Sequence, residues 1–341
     1  MLQKRFKYDK KPVDSLNELQ IKIKKQIEEK IKEGIYSYEK ERIPCCICGG
    51  NNFETLSEKD RYGLYLPVVI CKDCGLIQTN PRMKQESYNQ FYDFEYTKLY
   101  KGEIPTKEFF KDQYYHGKRI YHYLESNLGI KINNLRILEV GTGAGGILQY
   151  FKEKGNKVYG CDLGSEYIDF GREKYGLNLF IGTIDDIKES LHFDIIIYSH
   201  VLEHLLNPID ELIKLKSIVG KDSYIYIEVP SVKYFTRSYK MDFLSTIHIA
   251  HIYYFTLTTL KNLLEKADYD LVAGDEYIYS IFKSSNRDKE YKLKNDYYNT
   301  ISFLKKMEFY RFLPIIMSIL IRFLKCVGLY SFVREIYHKF K

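Results

Sequence analysis

The stretch that decides the fold is Leu138-Glu139-Val140-Gly141-Thr142-Gly143-Ala144-Gly145-Gly146. It begins inside an apolar run over 136–140 and continues into a helical pattern over 147–154. Glycines in such a strand–loop–helix turn let a bound cofactor approach the backbone closely. The run fits the dinucleotide pattern Gly-x-Gly-x-x-Gly and also the looser Gly-x-Gly-x-Gly. The loop therefore predicts a nucleotide-containing cofactor without choosing one.

The residues after this loop alternate between strand and helix patterns. Strands are predicted at 157–162, 179–181, 193–199 and 224–229, helices at 165–175, 208–219 and 257–267, and a closing hairpin over 270–283. Asn207 and Thr256 occupy the cap positions of the last two helices. This alternation predicts an α/β fold whose parallel sheet is covered by helices on both faces.

Acidic residues near the ends of the predicted strands indicate which cofactor the loop binds. Glu139, in the first strand, would repel a pyrophosphate but suits a cationic amino-acid group. Asp162 ends the second strand, where it can bind ribose hydroxyls or cap the following helix. Asp185 follows the third strand and can reach an adenine amino group. Asp186 competes for that role, and either residue can instead cap a turn.

Two Cys-x-x-Cys-Gly knuckles precede this region, formed by Cys45 and Cys48 and by Cys71 and Cys74. Four thiolates from two tight turns suit the tetrahedral coordination of Zn²⁺, and a site closed by protein ligands organises a fold rather than catalysing. Cys46 is an alternative to Cys45, although the spacing favours Cys45. Disulfides are less expected in a cytoplasmic protein.

The loop, the three acids and the segment Phe193-Asp194-Ile195-Ile196-Ile197-Tyr198-Ser199-His200-Val201-Leu202-Glu203-His204 together resemble the class I S-adenosylmethionine-dependent methyltransferases. The resemblance covers roughly residues 130–275 and implies a Rossmann-like seven-stranded sheet with the cofactor at the carboxyl ends of its first two strands. By that resemblance Glu139 and the glycines line the methionine moiety, Asp162 holds the ribose and Asp185 lies near the adenine. The predicted cofactor-binding set is Glu139, Gly141, Gly143, Gly145, Asp162, Leu163, Asp185 and Ser199.

The knuckles, together with Gly75-Leu76-Ile77-Gln78-Thr79-Asn80-Pro81-Arg82, resemble the zinc-binding N-terminal domain of sugar-modifying methyltransferases. Some members of that family methylate carbon atoms of nucleotide-linked deoxysugars and carry a Tyr-x-Glu-His segment linked to catalysis. The matching segment here has His248 in place of the Tyr and Ala250 in place of the Glu, and keeps only His251. Oxygen is therefore favoured slightly over carbon as the methylated atom.

Methylation of a hydroxyl generally requires a base, and histidine is the most common one. His251 is the first candidate because it follows the fifth strand, on the edge where such sheets bind ligands. His200, at the end of the fourth strand, is the second, and His248 completes the catalytic set. A histidine among aromatic residues is also often a packed core residue. Glu203 and His204 are expected to orient a base or the substrate.

The predicted function is methyl transfer from S-adenosylmethionine to a sugar, either nucleotide-linked or in a surface glycan. One alternative is an RNA- or protein-directed methyltransferase or binding module that uses the knuckles and a basic tail. An NAD(P)-dependent sugar oxidoreductase is a further alternative, because the glycine pattern permits it. No nucleic-acid partner is expected, since outside residues 301–341 the acidic and basic side chains almost balance.

The composition and charge distribution indicate how the chain is organised. It has 341 residues, of which 45% are apolar, and a formal net charge of +7. No stretch is long and apolar enough for a membrane span, and the first residues lack a signal-peptide core, so a cytoplasmic location is expected. Residues 301–341 hold eight basic and two acidic side chains around a short apolar run, which predicts contact with a membrane surface or a partner chain. The predicted segments are an N-terminal helix (1–42), a zinc-binding unit (43–82), a helical connector (83–130), the methyltransferase domain (131–283) and a basic amphipathic helical tail (284–341).

Overall fold

A computed structural model describes residues 1–100, 106–187, 191–236, 241–285 and 291–311 of the chain. Most of the predicted basic tail, residues 312–341, lies outside the described residues. Among the described residues, no helix has the length and apolar character needed to cross a bilayer.

The N-terminal part begins with helix α1 (Glu18–Lys32), which Asn17 and Gln20 cap by a reciprocal capping box. Ile23 and Ile27 of this helix are buried, so it packs on the protein along one face. An antiparallel sheet follows, formed by β1 (Phe53–Lys59), β2 (Tyr65–Cys71) and β3 (Ile77–Thr79). The two cysteine knuckles flank β1 and β2 in the chain.

Helices connect this sheet to the rest of the molecule. α2 (Gln85–Phe91) runs through a π-helical turn (Tyr92–Tyr96) into α3 (Thr97–Tyr100), and α4 (Thr106–Leu128) follows. The π-helical turn places several aromatic side chains beside the candidate site, a location where such turns are often found. α4 packs closely against the helix that follows the glycine loop, because a Cβ on Gly117 would lie 2.6 Å from the carbonyl oxygen of Ile147.

The second sheet has seven strands in the order β10-β11-β8-β7-β4-β5-β6. They are β4 (Arg136–Val140), β5 (Lys157–Asp162), β6 (Asn178–Ile181), β7 (Phe193–Ser199), β8 (Val219–Glu228), β10 (Tyr269–Gly274) and β11 (Tyr279–Ser284). β4 to β8 are parallel, and β11 lies antiparallel between β8 and β10. The predicted Rossmann-like seven-stranded α/β sheet is therefore confirmed.

Helices cover both faces of the large sheet, and two separate groups of buried apolar side chains lie between helices and sheet. These helices are α5 (Gly146–Glu153), α6 (Ser165–Tyr175), α7 (Pro208–Lys214) and α8 (Leu257–Lys266). Pro208 stands in the first turn of α7 and Thr256 caps α8, both as predicted. A last helix, α9 (Tyr297–Tyr310), packs Ile301, Leu304 and Met307 into the core.

One predicted helix is too long. The pattern over 208–219 was predicted to be helical throughout, but the α-helix ends at Lys214 and a 3-10 turn covers Leu215–Ser217. β8 then starts at Val219 because Val219 pairs with Phe193 of β7, so strand pairing overrides the helical spacing. The side chain of Asn207 makes no capping hydrogen bond, which corrects its predicted role.

The two sheets are linked by β9 (Tyr253–Tyr254), which lies between β8 and β10 in the chain but pairs with β3. Tyr254 is opposite Ile77, and Tyr253 is opposite Gln78. The amide of Thr79 also donates to the carbonyl oxygen of Ile252 over 2.8 Å. Strand pairing thus crosses the predicted boundaries at 82 and 131, and the five-segment division itself stays a prediction.

Candidate active site

The strand order of the large sheet places a crevice at the carboxyl end of β4. From β4 the chain proceeds to β5 and β6 on one side, and later to β7 and β8 on the other. The connections that follow β4 and β7 therefore continue on opposite faces of the sheet. The crevice between them is where open α/β sheets bind ligands. The glycine loop leaves β4 at this point, and Ser199 and His200 leave β7 beside it.

The glycine loop has a backbone that other residues adopt poorly. Gly141, Gly143 and Gly145 have φ angles of 70°, 53° and 79°, all in the left-handed region. A Cβ on Gly141 would lie 2.4 Å from Cγ2 of Val201, in the segment after β7. Gly141 therefore brings the loops of β4 and β7 into contact.

Two of the three predicted cofactor-binding acids, Asp162 and Glu139, form hydrogen bonds that hold the glycine loop in place. Asp162 accepts hydrogen bonds from the backbone N–H of Gly143 and of Gly164, each over 2.8 Å. Glu139 is buried and accepts a hydrogen bond from the Thr142 hydroxyl over 2.7 Å. Burial raises the pKa of Glu139 well above its usual range. A cationic group bound nearby would lower this pKa again and favour the carboxylate. Their contacts with a cofactor stay predictions.

The other predicted cofactor residues surround the crevice at greater exposure. Leu163 directly follows β5 and is 73% exposed, as expected for a side chain free to cover a ligand. Ser199 ends β7 opposite Glu228 of β8. Asp185 is exposed and pairs with Lys214 over 2.6 Å, whereas Asp186 accepts the Thr183 N–H and takes the capping role. The adenine contact of Asp185 stays a prediction.

His200 lies between two carboxylates at the end of β7. Its Nδ1 is 3.5 Å from Oε1 of Glu203, and its Nε2 is 3.4 Å from Oε1 of Glu228. Partial desolvation opposes ionisation of this half-exposed imidazole, but the two carboxylates raise its pKa to about 10. The φ angle of His200 is 57°, a strained value for a residue with a side chain, and such strain is common at functional sites.

His248 and His251 lie in the loop that leads into β9, and both are buried. Their ring centroids are 3.6 Å apart, and Nε2 of His251 is 3.8 Å from Oε1 of Glu203. Burial lowers the pKa of both rings well below the usual value, and the positive charge of Arg61 lowers it further. Both histidines are therefore neutral at physiological pH. The structure brings all three candidate catalytic histidines to one cluster, and their catalytic role stays a prediction.

Two members of this cluster were not predicted. His116 of α4 lies 2.6 Å from Glu228 through its Nε2, and Glu228 also accepts a hydrogen bond from the Tyr226 hydroxyl. Burial opposes ionisation of Glu228, but His116 and His200 lower its pKa to about 2. Glu228 could have been predicted from the sequence, because it is an acid at the end of an apolar strand, as Asp162 is. His116 lies inside a helix with no comparable signal.

Aromatic side chains form one wall of the cluster. The Tyr92 hydroxyl lies 2.8 Å from Nδ1 of His204. The ring of Tyr96 is edge-on to His204, and the ring centroid of Tyr100 is 4.7 Å from that of His248. These rings come from the π-helical turn and from α3, so the connector helices and the end of β7 together shape the site.

The four predicted metal-binding cysteines form a cluster away from this site. Sγ of Cys45 lies 3.5 Å from that of Cys74, Sγ of Cys48 lies 3.5 Å from that of Cys71, and all four sulfurs are within 4.8 Å of one another. Tetrahedral zinc with Zn–S bonds of about 2.3 Å places its sulfurs about 3.8 Å apart, so the donor set fits Zn²⁺. Cys46 lies outside the cluster.

The knuckles pack against the C-terminal part of the described chain. Lys266 of α8 donates to the carbonyl oxygens of Cys46 and Ile47, each over 2.8 Å. A Cβ on Gly75 would lie 2.7 Å from the backbone of Asp296, at the start of α9. The second knuckle therefore needs glycine at this position for close packing as well as for its φ of 86°.

Comparison with known proteins gives one matching family and several similar folds. A family model described as a methyltransferase domain matches residues 112–273, just under half of the chain. A search of curated protein sequences finds no significant match.

Three solved structures illustrate the similarity. The 1,6-didemethyltoxoflavin N1-methyltransferase of Burkholderia thailandensis, solved with its substrate and S-adenosylhomocysteine, is 14% identical with a TM-score of 0.46, over 69% of this chain and 100% of that one. An S-adenosylmethionine-dependent methyltransferase of Archaeoglobus fulgidus is 23% identical with a TM-score of 0.37, over 52% and 74%. The magnesium protoporphyrin IX methyltransferase of Synechocystis, solved with S-adenosylhomocysteine, is 14% identical with a TM-score of 0.39, over 50% and 83%.

Proposed function

We propose, from the premise that the chain is a class I S-adenosylmethionine-dependent methyltransferase, that it transfers a methyl group to a hydroxyl oxygen of a sugar. The observation that carries this proposal is the cluster of His200, Glu203 and His251 at the same sheet edge as the cofactor loop. The resemblance of the knuckle region to that of sugar-modifying methyltransferases supports a sugar, and flat aromatic rings such as Tyr96 suit the apolar face of one.

The proposed reaction is an in-line displacement at the methyl carbon. The acceptor oxygen attacks, the bond from the methyl carbon to the sulfonium sulfur breaks, and S-adenosylhomocysteine leaves. Alignment of the two reactants can supply about 7 kcal/mol or more of the rate enhancement, and a histidine base a further ~10²–10⁴-fold. His251 is the proposed base because Glu203 lies close enough to stabilise its imidazolium. His200, already between two carboxylates, is better suited to orient the acceptor.

Substitution of Gly141 by Ala tests the cofactor site. The added Cβ would clash with Val201 in a backbone with positive φ, so we expect at least a tenfold loss of affinity for S-adenosylhomocysteine in calorimetry. Gly155→Ala is the matched control, because Gly155 also has positive φ but open space around it. Equal affinity in both variants would contradict the assignment of the glycine loop.

The acceptor is tested by incubating the protein with S-adenosylmethionine and a panel of nucleotide sugars and lipid-linked glycans, followed by mass spectrometry. The proposal expects a mass increase of one methyl group in at least one sugar, and fragmentation that places it on oxygen. If fragmentation places the methyl group on carbon, the proposed oxygen acceptor is rejected and the sugar substrate is kept. Methylation of RNA or protein, with every sugar unmodified, would reject the sugar substrate.

Zinc is proposed as a structural ion bound by Cys45, Cys48, Cys71 and Cys74. The sulfur spacing supports it, and a site with four protein ligands leaves no position for a substrate. It would fix the small N-terminal sheet, whose strands β1 and β2 connect the two knuckles. Chelator-free purification followed by metal analysis is expected to find about one zinc ion bound to these thiolates per chain.

Peripheral membrane contact is proposed for the C-terminal tail. Ile301, Leu304 and Met307 are buried in the protein, so the contact is assigned to residues 312–341, which hold five basic residues and one acid. The full chain is expected to sediment with vesicles that contain anionic lipids and a chain ending at Arg311 to stay in solution. Equal sedimentation of both chains would reject this proposal. Such contact would bring the enzyme to lipid-linked sugars.

A further inference from the structure

A buried carboxylate that forms no hydrogen bond among the described residues lies at the centre of the histidine cluster. Glu203 is 1% exposed, and neither of its carboxylate oxygens has a hydrogen-bond partner among the described residues. An unpaired buried carboxylate costs several kcal/mol, so native proteins pair such groups with a cation or with hydrogen-bond donors. Glu203 follows β7 in a 3-10 turn (Leu202–His204), which directs it to the inside of the site.

The groups nearest to this carboxylate are three imidazole nitrogens. Nδ1 of His200, Nε2 of His204 and Nε2 of His251 lie 3.5, 3.7 and 3.8 Å from Oε1 of Glu203. These distances are too long for hydrogen bonds. They are close to the separation of ligand atoms around a metal ion, which is about 3.4 Å for a tetrahedral site with bonds of about 2.1 Å.

The orientation of His204 supports a ligand role. Its Nδ1 lies 2.9 Å from the carbonyl oxygen of Ala250, which can only accept a hydrogen bond. A proton on Nδ1 satisfies this carbonyl oxygen, and the Tyr92 hydroxyl 2.8 Å from Nδ1 can also accept it, so that Nε2 directs a lone pair towards Glu203. Metal-binding histidines commonly donate their other N–H to a backbone carbonyl in this way. Without a cation, this lone pair and the carboxylate would face each other.

We propose that Oε1 of Glu203, Nε2 of His204 and Nε2 of His251 bind a divalent transition-metal ion. Each of the three residues offers a ligand atom that lies within 4.8 Å of those of the other two. Two imidazoles and one carboxylate favour Zn²⁺, Co²⁺, Fe²⁺ or Mn²⁺ over Mg²⁺ and Ca²⁺, which prefer oxygen ligands. This ion is distinct from the zinc of the cysteine cluster.

His200, whose Nδ1 lies 3.5 Å from the same carboxylate oxygen, is the half-exposed neighbour of these three ligands. An acceptor oxygen that entered on the side of His200 would complete the coordination of the proposed ion. Metal coordination would lower the pKa of the acceptor hydroxyl, and its proton would leave to solvent water. In that case His251 acts as a ligand instead of as the base. This catalytic role rests on the proposed function, whereas metal binding does not.

Cobalt titration of the chelator-stripped full chain tests the site. Two Co²⁺ ions are expected per chain, and only one should give the thiolate charge-transfer absorption of a cysteine site. Glu203→Gln and His251→Ala should each lose the second ion and keep the charge-transfer band. His122→Ala, which removes an exposed histidine of α4, should still bind two. One ion in the parent chain, or two in both site variants, would overturn the proposal.

Two further measurements separate this inference from the proposed function. Calorimetry with S-adenosylhomocysteine reports the cofactor site, and its failure would reject methyl transfer whatever the metal content. Methyl transfer by cobalt-loaded protein should exceed that of protein carrying only the cysteine-bound ion by at least tenfold. Equal rates, with two ions bound, would confine the second ion to a structural role and overturn its catalytic assignment.

Discussion

At the residue scale, the molecule keeps several acids in environments that oppose their ionisation. Asp60 is fully buried, and its Oδ1 accepts hydrogen bonds from the backbone N–H of Tyr62 and Leu64. Its Oδ2 has no hydrogen-bond partner among the described residues. Burial raises the pKa of Asp60 to about 7, although these hydrogen bonds and Arg61 act in the opposite direction. A carboxyl group of this kind makes stability depend on pH near neutrality.

The unfolded chain releases the Asp60 proton near pH 3.8, whereas the folded protein holds it to about pH 7. Asp60 therefore lowers the free energy of unfolding progressively as pH rises through this window, by up to roughly 4 kcal/mol above pH 7. Asp60→Asn keeps the paired oxygen, so this variant should be more stable than the parent at pH 8 and show a smaller pH slope. Urea unfolding between pH 5 and 8.5 measures this.

The control for this substitution is Asp169→Asn, because Asp169 is exposed on α6. It should reproduce the pH slope of the parent. A parent-like slope in Asp60→Asn as well would show that Asp60 is ionised in the folded protein across the whole range.

At the element scale, the shared strand β9 couples the cysteine knuckles to the loop that carries His248 and His251. β9 follows His251 by one residue and pairs with β3, and the Thr79 hydroxyl donates to the carbonyl oxygen of His251 over 3.0 Å. The segment that positions His251 is thus part of the sheet that the knuckles organise. A change at the cysteine cluster can therefore reach the proposed active site through this strand.

Loss of the cysteine-bound zinc should therefore loosen β9. In Cys71→Ser, hydrogen exchange followed by mass spectrometry should show faster exchange of residues 252–255, since their partner strand is no longer fixed. Residues 157–162 of β5 should keep the protection of the parent. The matched control is Asp73→Asn, which changes an exposed side chain inside the second knuckle that is not one of the four cysteines. Unchanged protection at 252–255 in Cys71→Ser would refute the coupling.

The sequence predicts elements well where the pattern is local and less well where pairing is distant. The strands that end at Val140 and Asp162 are apolar runs next to glycine loops, so the pattern and the structure agree. β9 has only two residues, too few for a recognisable alternation of apolar and polar side chains. It is a strand because it pairs with β3, which is distant in sequence. The contact of His116 with Glu228 joins residues 112 positions apart, and no spacing rule indicates it.

At the scale of the whole molecule, the N-terminus is tied to residues near the end of the described chain. Arg5 donates to Asp242 and to Glu308 of α9, with Nε 2.9 Å from Oε2 of Glu308. Both carboxylates are almost fully buried, and Arg311 lies within 4.0 Å of each. This ion-pair group closes the structure around the small sheet and α9.

Arg5→Met should destabilise the protein by roughly 3 kcal/mol, because it leaves two buried carboxylates with less compensating charge. Urea unfolding at pH 7 measures the change. Lys4→Met removes an adjacent exposed cation and should change stability by less than about 0.5 kcal/mol. Equal stability of the two variants would mean that Arg311 alone compensates the carboxylates.

The position of β9 also constrains how the chain is made. Residues 45–79 leave the ribosome early, but Thr79 and His251 are 172 positions apart in sequence. At typical elongation rates, translation of the residues between β3 and β9 takes on the order of ten to thirty seconds. Until then the backbone groups at this edge of β3 have no strand to pair with. During that interval the zinc unit has an open sheet edge, which is a known starting point for misassembly between nascent chains. A ribosome pause between residues 80 and 250 would prolong this vulnerable period.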